Sequence, residues 1–153
     1  TIGDQTIALG PETLQTHPGL SAYDGKRVII GIRPEDLEDA ALATDAPADQ
    51  RLRGRLELRE ALGSEIMAHF AIKGAHAETD ETRELRKDAG AEGVEQPVGV
   101  QAGEAVIVGR FGARSRIKQG EAVEAVVDTR ALHFFDPATG QGIYDTSNKG
   151  ATT

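Results

Sequence analysis

Polar and apolar positions alternate most regularly from Leu52 onward, with Leu52, Gly54, Leu56 and Leu58 on one side and Arg53, Arg55, Glu57 and Arg59 on the other. A period of two is the mark of a strand with one buried face. Leu62-Gly63-Ser64 then turns the chain into residues 65–73. The pair predicts an antiparallel hairpin whose wet face carries Arg53, Arg55 and Arg59. Upstream, residues 5–9 alternate before Gly10-Pro11 and predict a short edge strand, and residues 12–22 read as loop or weak helix. The turn dipeptide Asp24-Gly25 precedes the apolar run Val28-Ile29-Ile30-Gly31-Ile32, which predicts a buried strand over 27–32. Pro34 disfavours helical geometry at Arg33 and opens a short turn, Pro34-Glu35-Asp36-Leu37. Residues 38–50 keep no period and read as connector. Later strands are predicted over 105–109, 122–127, 131–135 and 141–144, with Gly120, Asp136-Pro137 and Thr139-Gly140 at the turns.

Short strands divided by turns, with almost no helical pattern, predict an all-β fold, an OB-like barrel in preference to a sandwich. Residues 74–96 differ in kind. Glu78, Asp80, Glu81, Glu84, Asp88, Glu92 and Glu95 outnumber Arg83, Arg86 and Lys87, and Leu85 is the one large apolar residue of the helix-like part, 80–89. An exposed acidic insertion, partly helical or disordered, is expected there. Because it separates two groups of strands, the domain over 1–145 is compatible with two small lobes. The polar residues 146–153 are expected to form a disordered tail.

Composition narrows the function. The 153 residues carry a formal charge of −8, and no basic stripe offsets it, which argues against a nucleic-acid partner. Four Phe, two Tyr and no Trp also give an OB barrel little on which to stack bases. With no cysteine, disulfides, thiol nucleophiles and Cys-bearing zinc sites are excluded. No stretch approaches the roughly 20 apolar residues of a membrane span. The chain begins at Thr1 and its sole methionine is Met67, so a preceding portion of a longer protein is expected.

Candidate chemistry is sparse. A phosphate cradle needs G-x-x-x-x-G-K-[ST], yet before Gly25-Lys26 the first glycine position is Leu20, and the hydroxyl position is Arg27. His17, His69, His76 and His133 lack the spacing of a convincing metal site. Glu35-Asp36 and Glu38-Asp39 sit beside a turn, where carboxylates commonly cap backbone amides. Ser64 and Ser115 lack a glycine-flanked elbow. No catalytic, cofactor-binding or metal-ligating residue is assigned.

Three stretches together resemble one family: Val28 through Gly31-Ile32-Arg33-Pro34-Glu35 to Leu37, Glu60-Ala61-Leu62-Gly63-Ser64-Glu65 leading to Ala68-His69-Phe70, and Ala131-Leu132-His133-Phe134-Phe135-Asp136-Pro137 to Gly140. Their order and spacing are similar to those of the C-terminal regulatory (TOBE, OB-like) domain of ATPase subunits from ABC importers of the maltose, glycerol-phosphate and trehalose class. The resemblance implies a noncatalytic domain that follows a nucleotide-binding domain, and that nucleotide-binding domain would hold ATP and magnesium and is absent from this chain. It implies as partners that domain, a second copy of the ATPase subunit, the membrane subunits of the transporter and a regulatory protein able to deliver inhibitory signals. Location would be cytoplasmic, peripheral on the inner face of the plasma membrane. Residues 74–96 look longer and more acidic than the family's connection there.

Several residues keep two readings. Arg33 is a planar fork suited to a carboxylate: either it fixes its turn by a salt bridge to Glu35 or Glu65, or it meets a signalling partner. Phe134 and Phe135 point to opposite faces of a strand, so one is expected in the core and the other in core or subunit interface. Arg110, Arg114 and Arg116 form the one basic cluster, read either as a solvated loop or as an interface or anion site. The alternative function is a small-molecule or oxyanion module of the molybdate-binding barrel type.

Overall fold

The computed structural model describes residues 1–74, 101 and 103–144. From residue 75 on, the expected acidic insertion lies outside the described residues, as do His76 and the tail 146–153. The elements are α1 (Pro11–Thr16), a 3-10 turn (Pro18–Tyr23), β1 (Ile29–Gly31), a second 3-10 turn (Pro34–Asp36), β2 (Leu37–Asp39), β3 (Arg51–Ala61), β4 (Glu65–Lys73), β5 (Glu104–Gly112), β6 (Ala122–Val127), a third 3-10 turn (Thr129–Ala131) and β7 (His133–Phe135). The chain is mostly β, as its alternation predicts.

Five strands form one antiparallel sheet in the order β2-β6-β3-β4-β5, and β1 pairs with β7 in a second. The edges β2 and β5 approach each other, so the large sheet curls into a half-barrel. Gly112 N–H donates to Glu38 Oε1 at 3.0 Å across that gap. Inward-facing residues alternate along the strands: Val123, Ala125 and Val127 on β6, Ile66, Ala68 and Phe70 on β4, all almost fully buried. A single hydrophobic cluster joins these to Leu132, Phe134 and Ile143, so both sheets share one core. Burying an aromatic or large aliphatic side chain there contributes about 1.5–3 kcal/mol.

The β3–β4 hairpin closes as the alternation predicts. Leu62 N–H donates to Glu65 C=O at 2.8 Å, and Gly63 has φ 83 while Ser64 stays at negative φ. A two-residue turn with positive φ only at its first position is the II′ type, which calls for Gly there. Gly54 answers a packing need, because a Cβ at that position would stand 2.5 Å from Ala71 C=O.

Six sequence expectations change. Leu58 is 42% exposed and does not share the buried face of Leu52 and Leu56. The register shifts between Leu56 and Leu58, and this bulge inverts the alternation beyond it. Residues 5–9 form no strand. Gln5 instead clamps Arg53 with its side-chain amide, accepting from Arg53 N–H and donating to Arg53 C=O, both at 2.7 Å. That one side chain satisfies the backbone of β3 beyond its last pair with β4, while the segment's own backbone contributes a Gln5 bridge to Ile2 and Ala8 N–H to Asp49 C=O. The buried strand expected over 27–32 shrinks to β1, which is half-buried because β7 is its single strand partner. Residues 38 and 39, read as connector, belong to β2: Glu38 Oε1 accepts from Asp39 N–H and Gly112 N–H, and Asp39 Oδ1 accepts from Ala41 N–H. Strand 131–135 likewise begins only at His133, since Asp128 accepts from Arg130 N–H and caps a 3-10 turn before it. Residues 141–144 add only a bridge from Gly142 to Phe135.

Candidate functional site

The first and third motif stretches meet in space. β1 and β7 pair antiparallel, with Ile29 opposite Phe135, Ile30 opposite Phe134 and Gly31 opposite His133. Gly31 is needed for that closeness: a Cβ there would lie 3.2 Å from the Phe135 ring and 3.3 Å from His133 Cβ. Phe134 enters the core at 2% exposure, and Phe135 stays half-buried on the other face. Asp136 fixes the following turn, its Oδ1 accepting from the amides of Ala138 at 2.7 Å and Thr139 at 3.1 Å, with Gly140 at φ 71 closing it. Tyr23 donates to Asp136 Oδ2, and this hydrogen bond, first, together with the Ala138 amide holds the Asp136 carboxyl below the usual carboxylate range. The second stretch, with Gly63, lies at the tip of the hairpin.

Two depressions flank the small sheet. One is an apolar cleft of about 1,420 Å³, whose walls include Ile7, Leu9, Val28, Ile30, Ile107 and Phe134. The other is a smaller pocket of about 420 Å³ lined by Thr16, His17, Arg33, Asp36, Arg130, His133 and Tyr144 over Ala131 and Leu132. Pro34 shapes its wall by setting the extended backbone of Arg33 (φ −85, ψ 147) and starting the 3-10 turn that carries Glu35 and Asp36.

In that pocket Arg33 is exposed and makes no ion pair among the described residues, in contrast to the expected bridge to Glu35 or Glu65. Glu35 is exposed without a partner among the described residues, and Glu65 serves Arg110 at 3.4 Å instead. Buried His17 sits edge-on to Phe134 at 5.3 Å and stacks on Tyr144 at 5.4 Å, its Nδ1 within 3.0 Å of Thr16 Oγ1 and 3.2 Å of Thr13 C=O. Arg130 meets Asp128 in two contacts, Nε to Oδ1 at 3.0 Å and Nη2 to Oδ2 at 3.2 Å. That pairing draws the Asp128 carboxyl below its ordinary value and raises Arg130. Asp36 Oδ2 is buried and has no hydrogen-bond partner among the described residues.

The basic cluster is divided between β5 and the turn that follows it. Arg110 lies on β5 with Glu65, and exposed Arg114 and Arg116 flank Ser115, whose buried hydroxyl donates to Asp39 Oδ2 at 2.5 Å. Lys26, the residue nearest to a phosphate-loop lysine, donates to Ala22 C=O at 2.9 Å, lies 6.0 Å from the Tyr23 ring, and follows a 3-10 turn rather than a strand. It does not fit a nucleotide site. Among the described residues no group of three or more His, Asp or Glu converges to hold a metal ion, and no helix is long and apolar enough to cross a membrane. Sequence reasoning did not single out Asp36, His17, Arg130 or Tyr144 as site residues. They come from four separate segments, and no local pattern links them.

Residues 30–109 match the model of the TOBE domain. The chain is 32% identical over 143 residues to the trehalose/maltose import ATP-binding protein of Thermococcus litoralis, covering 93% of this chain and 30% of that protein. It is 28% identical over 145 residues to the trehalose import ATP-binding protein of Mycobacterium tuberculosis, covering 90% and 33%, and 26% identical over 117 residues to the oligosaccharides import ATP-binding protein of Bacillus subtilis, covering 76% and 24%. It thus spans about a third or less of the length of these relatives. With an antiparallel half-barrel, β2, β3 and β4 inside the matched span, and likeness along nearly its whole length, the chain belongs to the TOBE domain family.

Proposed function

We propose that this chain is the C-terminal regulatory domain of the ATP-binding subunit of an ABC sugar importer. The observation that carries the reading is the extent of likeness to the trehalose/maltose import protein, 93% of the chain, which keeps all three motif stretches in one alignment. In this reading the domain is noncatalytic. ATP and magnesium are held by the rest of the longer protein, and the poor fit of Lys26 to a phosphate loop supports that division of labour. Two copies of the subunit associate with help from this domain, the transporter's membrane subunits keep it at the cytoplasmic face of the plasma membrane, and a regulatory protein acts through it.

A chimera tests this. The chain replaces the C-terminal third of the Thermococcus trehalose/maltose protein, and uptake of labelled trehalose or maltose is measured in reconstituted transporter. Retained uptake, with no ATP hydrolysis by the isolated chain, is the expected result. A folded chimera that hydrolyses ATP yet neither self-associates nor supports uptake would refute the reading.

A further inference from the structure

The smaller pocket between α1, the Pro34–Asp36 turn and the Thr129–Ala131 turn contains more hydrogen-bonding capacity than the fold uses. Asp36 lines it, and its carboxylate makes no hydrogen bond among the described residues. Arg33 and His133 line the same space and use none of their side-chain hydrogen-bonding groups among the described residues, while Arg130 commits Nε and Nη2 to Asp128 and leaves Nη1. Charge balances: two guanidinium groups stand beside the carboxylates of Asp36 and Asp128, so neither a simple anion nor a simple cation finds a net field. A neutral molecule with adjacent hydroxyls suits such a site, since each hydroxyl both donates and accepts. The Tyr144 ring, 47% exposed and backed by His17 at 5.4 Å, supplies a flat apolar wall for C–H groups. The volume of about 420 Å³ falls in the range of about 300–1,000 Å³ usual for small-molecule sites.

We propose that this pocket binds a neutral mono- or disaccharide, with Asp36 accepting from and Arg33 donating to neighbouring ring hydroxyls while the sugar face lies against Tyr144. The recognition chemistry stands on the pocket alone and goes beyond the importer reading, to which it adds an effector site in the domain itself.

The test uses the 153-residue chain, with amide NMR shifts and calorimetry, titrated separately with glucose, maltose, trehalose and inorganic phosphate. At least one sugar is expected to give saturable shifts centred on Arg33, Asp36, His133 and Tyr144. Arg33→Ala and Asp36→Asn are each expected to weaken that affinity about tenfold. Neither change removes a hydrogen bond within the described fold, so both variants are expected to retain the wild-type spectrum elsewhere. Three outcomes overturn the proposal: no saturable shift with any sugar up to roughly 50 mM, well above a 1 mM Kd; a response to phosphate alone; or sugar binding unaffected by both substitutions. None of these bears on uptake by the chimera, so the two ideas fail separately.

Discussion

Tyr23 donates its phenolic hydrogen bond to Asp136 Oδ2 across 113 residues of sequence, tying the 3-10 turn that precedes β1 to the turn that follows β7. Both strands of the small sheet are therefore clamped at the same end. The same contact raises the Tyr23 hydroxyl above its ordinary value and lowers the Asp136 carboxyl. Tyr23→Phe keeps the ring and removes the donor, and it is expected to lower the melting temperature by a few degrees while leaving the far-ultraviolet spectrum unchanged. An unaltered melting curve would show that the clamp is not energetically coupled to folding.

A second clamp joins the edges of the half-barrel. Ser115 and Asp39 are both buried, at 5% and 6% exposure, and their side chains meet at 2.5 Å. Ser115→Ala leaves a buried carboxylate oxygen without its donor, at a cost of about 1–3 kcal/mol. Chemical denaturation is expected to shift to lower denaturant with an unchanged slope. If Ser115→Ala and wild type share one midpoint, the edge-to-edge link is not holding β2 against the turn after β5.

Acid should weaken the fold through Glu124. Arg51 Nη1 at 2.8 Å and Arg53 Nε at 2.6 Å both donate to it across β3 and β6, and these hydrogen bonds lower its carboxyl below the ordinary 4.5. A folded-state value below the unfolded one means stability that is fully present above about pH 4.5 and is lost as pH falls through the depressed value. Melting temperature measured from pH 7 downward is therefore expected to stay level and then drop below about pH 4.5, less steeply in Glu124→Gln, which starts lower and has one fewer carboxylate to protonate. Parallel curves for the two proteins would remove Glu124 from the account.

The local code reached some elements and not others, for identifiable reasons. The β3–β4 hairpin and β6 were legible because the alternation matches the buried face of β6, of β3 as far as Leu56 and of β4 as far as Phe70, and Gly63 marks a turn that demands positive φ. The bulge at Leu56 and Leu58 was not, because the two leucines keep the period-two spacing across Glu57 and give no local sign that only Leu56 faces the core. Gln5 imitates a strand partner with a side chain, an exchange that alternation in residues 5–9 cannot reveal. Arg33 was legible as a functional candidate from its place after an apolar run, but its lack of an ion-pair partner among the described residues was not, since Glu65 is taken by Arg110 on the neighbouring strand.

Sequence alone determined that this protein is a mostly β domain with no phosphate loop, because strand period, turn residues and motif residues act over a few positions at a time. Tertiary structure alone decided that the motif around Gly31 lies against the one around His133, and that Arg33, Asp36, His17 and Tyr144 share a pocket. Those relationships follow from burying one common core under two sheets, a condition on distant residues that no short stretch of sequence contains.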